Sequence, residues 1–591
     1  MPDPHTTTAT RSLSPATLWA LSILVGVVAG LGAVVFRALI GFFHNVLFLG
    51  RATTAYEAIQ HTPPSPWGPL VILVPVAGAL GVAFLVKNFA PEAKGHGVPE
   101  VMDAVYHRKG VIRPVVSVVK ALASALSIGS GASIGREGPI IQIGSSFGST
   151  VGQMLRLPAW QRITLIAAGA GGGIAATFNT PVGGVLFAVE IVMHEFSART
   201  LVPVVTATAT ATYIGQLFFG THPSFFIPAL ETTYFHLTNP LLLFAYAALG
   251  AITGLVSALF IHSIYGFEKF FEKHVKGGYY VQHCLGMLLV GLIIYSLMSW
   301  FGHYYVEGVG YATIQDVLTG SPHTVYFLVL LFFVKILATS LTLGSGASGG
   351  VFSPALFLGA TAGAAFGLAL HGLFPSLDIS PPAFAVVGMA GVVGGATGAA
   401  MSAIVMIFEM TLDYTVIVPL TLTVAISYAV RRSIITDSIY TRKLALRGSR
   451  VPETFRADVQ FAVRASDIMN ENLQKIPRDD TLVEFQPPVS EADTAAYLIV
   501  NDSGRLSGVM TQRGAIGESI EPANAPKVPE ANYVVVEPGD SLWKVIETMR
   551  DKSAELAVVA RNDGNISAAD VKGVITTKAI MDILATNREL F

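Results

Sequence analysis

Apolar runs of spanning length, or close to it, recur through the first three quarters of the chain; Leu70–Val86, Leu241–Ile261, Leu285–Trp300, Val325–Leu343 and Ile404–Val430 are the clearest. A helix of about 20 apolar residues crosses the hydrocarbon core of a bilayer, so the pattern predicts many crossings. The first run, Thr17 to Leu49, is too long for one upright helix at ~1.5 Å per residue, and predicts a segment that tilts, breaks near Arg37 or lies partly in the interface. From about Ser449 the pattern changes. Charged residues become frequent, and short runs such as Tyr497–Val500 and Leu556–Val559 read as buried strands of a separate soluble unit.

Composition agrees with the pattern. Of 591 residues, 52% are hydrophobic and 13% charged, against about 25% charged in soluble domains, so lipid is the main solvent. Met1 to Ala16 is polar and rich in Thr, without the basic and apolar regions of a cleaved signal, and the membrane segments are expected to stay attached. Cys284 is the only cysteine, which excludes an intrachain disulfide and a multi-thiolate metal site. A formal net charge of −2, with no Lys/Arg-rich run, leaves no footprint for nucleic acid. Local charge says more. Arg431, Arg432, Arg442, Lys443, Arg447 and Arg450 crowd the end of the last apolar region, and the positive-inside bias places that end, with the tail beyond it, in the cytoplasm.

Within the membrane part, Lys120–Pro139 reads KALASALSIGSGASIGREGP and Lys335–Pro354 reads KILATSLTLGSGASGGVFSP, an internal repeat at an offset of 215 residues. Glycine- and proline-interrupted segments at corresponding places in two halves point to a transporter site near the bilayer midplane. Each GSGAS interrupts an apolar helix, and free backbone N–H groups do not face lipid, so the interruption must line protein or water. A helix that resumes after such a break offers unpaired N–H donors and a partial positive charge to an anion. A third break, Lys94-Gly-His-Gly-Val-Pro-Glu100, precedes a short helix with Pro99 in its first turn, and the three could converge on one ion. A lone GSG is more often a close-packing device. Duplication weighs against that reading here, as do Arg136 and Glu137, ionisable residues in a poorly charged stretch.

Gly135-Arg-Glu-Gly-Pro139, Gly350-Val-Phe-Ser-Pro354 and Gly95-His-Gly-Val-Pro99 resemble the three signature segments of the CLC family of chloride channels and proton/chloride antiporters, in the family order. The likeness runs through nearly the whole chain, and the tail resembles the paired CBS domains of many members. It implies an all-α polytopic membrane domain of two related, inverted halves, followed by a cytoplasmic α/β CBS pair. The boundaries expected are a polar segment 1–16, a transport domain 17–448 with halves of about 17–220 and 240–448, and a tail 449–591 with modules of about 460–520 and 530–591. By the same likeness Glu137 is the gating carboxylate, which competes with the anion for the positive helix ends and leaves on protonation. Arg136 attracts anions at the outer entrance. Backbone N–H groups of Val351 and Phe352 and the hydroxyl of Tyr440 hold the central anion, together with His96 and Gly97. Gly95, Gly135, Gly138 and Gly350 shape the selectivity segments. Without the resemblance, Tyr440 would read as an interfacial aromatic anchor.

Two departures from the family pattern bear on mechanism. His96 stands where the family usually has a serine, so it either donates to the anion or adds a pH-sensitive group, and anion preference, chloride against nitrate, hangs on it. Ile191, after Glu190, stands where many antiporters carry an internal proton-transfer glutamate. That leans the reading toward a voltage- or pH-gated chloride channel, with a proton-coupled antiporter as the alternative. In the tail, Gly514 and Ala579 replace the aspartates that hold a nucleotide's ribose, so a dimer-stabilising role is at least as well supported as adenine-nucleotide binding. No cofactor is required. A multi-pass homodimer in the cell (inner) membrane is expected, its partners being chloride or other small anions, protons and the lipid bilayer. An enzyme is not expected. Gly346-Ala-Ser-Gly349 matches an intramembrane serine protease element, but the flanking segments hold no histidine, and His323 and His371 lie beyond their far ends.

Overall fold

The computed structural model describes residues 12–194, 196–221, 224–225, 241–321, 324–377, 379–449, 451, 463–477, 496–500, 505–511, 532–561, 566–567 and 569–586. The chain forms two compact units, Met1–Pro452 and Glu453–Phe591. Eight helices among the described residues are long and apolar enough to cross a membrane, and the first unit is a multi-pass membrane domain.

Its helices fall into two series of the same order. The first is α1 (Pro15–Leu49), α2 (Val74–Phe89), α3 (Val98–His107), α4 (Val115–Gly129), α5 (Glu137–Met154), α6 (Ala159–Phe178), α7 (Pro181–Phe187) and α8 (Ala198–Phe219). The second is α9 (Leu241–His274), α10 (Gly278–Phe301), α11 (Tyr311–Leu318), α12 (Val325–Gly344), α13 (Phe352–Leu373), α14 (Pro381–Thr397), α15 (Ala400–Thr411) and α16 (Ile417–Ile434), after which comes the short α17 (Thr441–Leu446). Equivalent pairs pack in both: α1 lies on α4, α6 and α8 as α9 lies on α12, α14 and α16, and α5 on α6 as α13 on α14. Glycine permits the last two contacts. A Cβ on Gly144 would strike the carbonyl of Gly169, and one on Gly359 the carbonyl of Gly388.

The first run takes one of the alternatives its length left open, and a second segment differs from the hydrophobic pattern. α1 is a single helix of 35 residues with no break at Arg37, whose guanidinium reaches Glu57 at 3.3 Å and lies 4.6 Å over the Phe219 ring. The charge leaves the apolar face along its own stem, so the helix need not open. At ~1.5 Å per residue α1 spans about 52 Å, more than an upright crossing uses. The run Ile404–Val430 is two helices, parted at Leu412, which is left-handed with φ 55°. Asp413 starts the next turn by accepting from the N–H and hydroxyl of Thr415 at 2.7 and 2.6 Å.

The second unit has two three-stranded sheets of identical pairing. β1 (Leu473–Pro477) runs parallel to β2 (Ala496–Val500), which is antiparallel to β3 (Leu506–Thr511); β4 (Tyr533–Val536), β5 (Leu556–Ala560) and β6 (Val571–Thr576) repeat this. One core cluster gathers Leu498 and Val509 with Leu556, Val558 and Val574; a second gathers Val534, Val536, Leu542, Val545 and Ile575. Gly514, Pro487 and Pro488 lie outside the described residues. Ala579 sits in the first turn of the helix Thr577–Thr586, its N–H accepted by the Thr576 hydroxyl at 3.2 Å.

Candidate anion site

The two repeat lysines build the site's frame. Lys120 and Lys335 are fully buried. Lys120 Nζ donates to the carbonyls of Ala93 and Gly95 at 3.0 and 2.7 Å, and Lys335 Nζ to those of Val306 and Gly308 at 3.0 and 3.2 Å. Each therefore clamps the loop that enters a short helix, α3 or α11. Those loops are equivalent: Gly95 and Gly97 have φ 82° and 88°, and Gly308 and Gly310 have φ 54° and 77°, a region that glycine reaches without strain. Gly308-Val-Gly-Tyr311 is thus a fourth break, overlooked in the sequence reading. Its signal is the G-x-G that matches Gly95-His-Gly97 at an offset of 213 residues.

Backbone pairing joins the breaks. Gly135 and Gly350, equivalent in the repeat, exchange N–H to carbonyl bonds of 2.8 and 2.6 Å in an antiparallel bridge. Gly95 takes the N–H of Gly349 at 3.2 Å and gives its own to Ala347 at 2.9 Å. The Cα of Gly138 faces the His96 carbonyl, and that of Gly97 faces the Gly138 carbonyl and Gln142. The N-terminal ends of α3, α5 and α13 thereby meet. Ser348 serves this frame: its buried hydroxyl donates to Ala93 O at 2.7 Å and lies 2.9 Å from Ser124 Oγ, with no base at its side.

At the junction lies Glu137, 1% exposed. Its Oε1 accepts from the hydroxyls of Tyr311 and Ser353, both at 2.5 Å, and its Oε2 from the Ser353 N–H at 3.3 Å. The carboxylate is held by the first turn of α13 and by dipoles, with no cation paired to it among the described residues. Arg136 turns away. Its guanidinium stacks 5.2 Å from the Tyr311 ring and 6.0 Å from that of Phe178, and lines a cavity of about 270 Å³ with Arg37, Glu57, Asn179 and Gln216.

Several buried polar groups nearby have no partner among the described residues. The N–H groups of Val351 and Phe352, at the start of α13, bond to no described residue. Nδ1 of His96, a residue 3% exposed, is also unpaired. Tyr440, 2% exposed, precedes α17 within electrostatic range of Glu137, and its preceding carbonyl, Ile439 O, is fixed by Tyr265 Oη at 2.5 Å. Lys443, one turn on, brings its ammonium against the Cα of Gly95. Tyr311, Ser353 and Lys443 are the residues missed in the sequence. Ser353 lay inside a motif already singled out, Tyr311 closes the G-x-G break that repeats Gly95-His-Gly97, and Lys443 stood in the basic cluster without any sign that it reaches Gly95.

A polytopic domain of two related halves, whose helix N-termini meet around one buried carboxylate, is the architecture of an ion transporter. The voltage-gated chloride channel family model matches residues 78–432 and the CBS domain model residues 527–586; the chain belongs to the voltage-gated chloride channel (CLC) family and carries a C-terminal CBS domain. The H(+)/Cl(-) exchange transporter ClcA of Vibrio parahaemolyticus is 32% identical over 449 residues, covering 73% of this chain and 90% of the relative. ClcA of Citrobacter koseri is 31% identical over 418 residues, covering 70% and 85%. Among solved structures, a slow cyanobacterial Cl−/H+ antiporter aligns with a TM-score of 0.62 at 25% identity, over 74% of this chain and 99% of its own. A eukaryotic CLC transporter shares the fold at a TM-score of 0.61 and 20% identity, over 94% of this chain and 98% of its own. The family is one of transporters rather than enzymes.

Proposed function

We propose that this protein exchanges protons for chloride across the cell membrane. The observation that carries this reading is the Glu137 carboxylate, seated in donors that suit an anion and neutralised by a single proton. Chloride and a carboxylate compete for the same N–H and O–H groups, so protonation of Glu137 and anion entry are linked at one place. Relatives named as H+/Cl− exchangers support exchange over the channel reading that Ile191 suggested, and that reading takes second place.

In this proposal the N–H groups of Val351 and Phe352, the Tyr440 hydroxyl, His96 and the Gly97 segment hold the central anion, and Arg136 gathers anions in the cavity it lines. Glycine at Gly95, Gly135, Gly138 and Gly350 lets the backbones approach closely enough for this. Neutral His96 supplies one donor in place of a serine hydroxyl, with chloride as the substrate and nitrate as its competitor. The transport domain of about 17–448 acts as a homodimer in the inner membrane, and the cytoplasmic tail strengthens that dimer rather than binding nucleotide.

The test is the reversal potential of purified protein in liposomes under a chloride gradient, with and without an opposing proton gradient. A potential that moves with the proton gradient is expected. One that follows chloride alone returns the protein to the channel class.

A further inference from the structure

Glu137 is 1% exposed, and the residue before it, Arg136, lines the cavity of about 270 Å³. α6 is 20 residues long and so rises about 30 Å, the thickness of the hydrocarbon core. Its end at Phe178 and Asn179 lines the Arg136 cavity, while Arg162 near its start donates to the Lys109 carbonyl at 2.9 Å. The cavity and Lys109 therefore lie at opposite ends of α6. Lys109 and Arg108 are exposed and follow directly on α3, which carries the chain from the anion site to that far surface in 10 residues. A proton exchanged through Glu137 must also reach that end, along water or through a titratable group.

We propose that His194, hydrogen-bonded to Tyr106 near the surface end of α3, is the group that takes up and releases protons at the face opposite the Arg136 cavity; this rests on the exchange reading above. Three observations meet here. Tyr106 is 5% exposed, and its hydroxyl lies 2.6 Å from His194 Nδ1. The helix that leads to His194 widens into a π turn over Ala188–Met193, a geometry concentrated at functional sites. His194 itself is left-handed at φ 50° without being glycine, a conformation retained where the surroundings demand it.

The neighbouring groups are otherwise engaged. Glu190 accepts from the N–H groups of Met401 and Ser402 and from the Ser402 hydroxyl, at 3.2, 2.8 and 2.6 Å, capping α15. Asp103 is paired with Arg108 at 2.6 Å, Arg162 is spent on Lys109 O, and Arg199 lies 3.6 Å over the Trp160 ring. His107, beside Tyr106 on α3, is engaged as well, and Ile191 carries no proton. An imidazole accepts a proton from water as the imidazolium and returns to neutral by passing it inward, toward Glu137, whose carboxylate it converts to the acid.

The test uses the full chain in liposomes, with chloride and proton fluxes read separately in wild type, His194→Gln and Tyr106→Phe. Glutamine keeps a polar partner for Tyr106 but does not titrate. His194→Gln is expected to lose proton flux by roughly tenfold or more with chloride flux within about twofold, and to move the reversal potential toward that of chloride. Tyr106→Phe is expected to keep proton flux and displace its pH profile. Wild-type proton flux in His194→Gln would overturn the proposal while leaving exchange standing. Parallel loss of both fluxes in both variants would make the pair a structural tie and overturn it too. A wild type without proton flux would instead remove the exchange reading.

Discussion

At the scale of single residues, the proposed exchange turns on Glu137, a carboxylate with hydrogen-bond donors and no cation paired to it among the described residues. A carboxylate with only dipolar partners loses much of its hold once protonated, because the acid accepts hydrogen bonds less strongly and no longer interacts with the partial charge of the α13 N-terminus. Glu137→Gln is isosteric and permanently neutral. Its chloride flux, measured by efflux from liposomes, is expected to persist and to vary by less than about twofold between neutral and acid pH, where the wild type varies with Glu137 protonation. An unchanged pH profile would take the gate away from Glu137. Tyr311 and Ser353 add to the picture drawn from sequence: the Glu137 carboxyl sits in a triad with two hydroxyls, which lie 2.9 Å from each other.

At the scale of elements, the halves are bound by reciprocal contacts. Glu190, beyond α7, caps the start of α15, and Glu409, in α15, caps the start of α7 by accepting from Val182 and Gly183 N–H at 3.0 and 2.7 Å. With the Gly135–Gly350 bridge, this is the pattern of a twofold relation, in which i meets j and j meets i. The lysine clamps belong to the same scale. Lys120→Met preserves length and removes one donor from each of Ala93 O and Gly95 O, which keep the Ser348 hydroxyl and the Gly349 N–H, so the loss is that of two hydrogen bonds from a charged group, about 1.5–3 kcal/mol each. The purified variant is expected to melt several degrees lower than wild type, with lower chloride flux because the loop before α3 loses its register. An unchanged melting temperature would show that the clamp is dispensable.

At the scale of the whole molecule, each unit has its own core and its own internal repeat. The tail's clusters are built from tail residues. Expressed alone, residues 449–591 are expected to unfold in a single cooperative transition followed by circular dichroism, whereas a gradual melt would show that they need the membrane domain to fold. The solvent, the two halves and three of the four glycine breaks were legible from sequence alone, because apolar period, internal repetition and special backbone residues are written locally along the chain. Which alternative α1 takes, and the split at Leu412, were not, since both turn on side-chain contacts that relieve or cap the backbone. Tertiary structure alone decided which groups meet. Tyr311 and Ser353 reach Glu137 across 174 and 216 residues, and Tyr106 reaches His194 across 88. A lone hydroxyl leaves no periodic trace in a sequence, so only the packing of helices that are distant along the chain could assign it a partner.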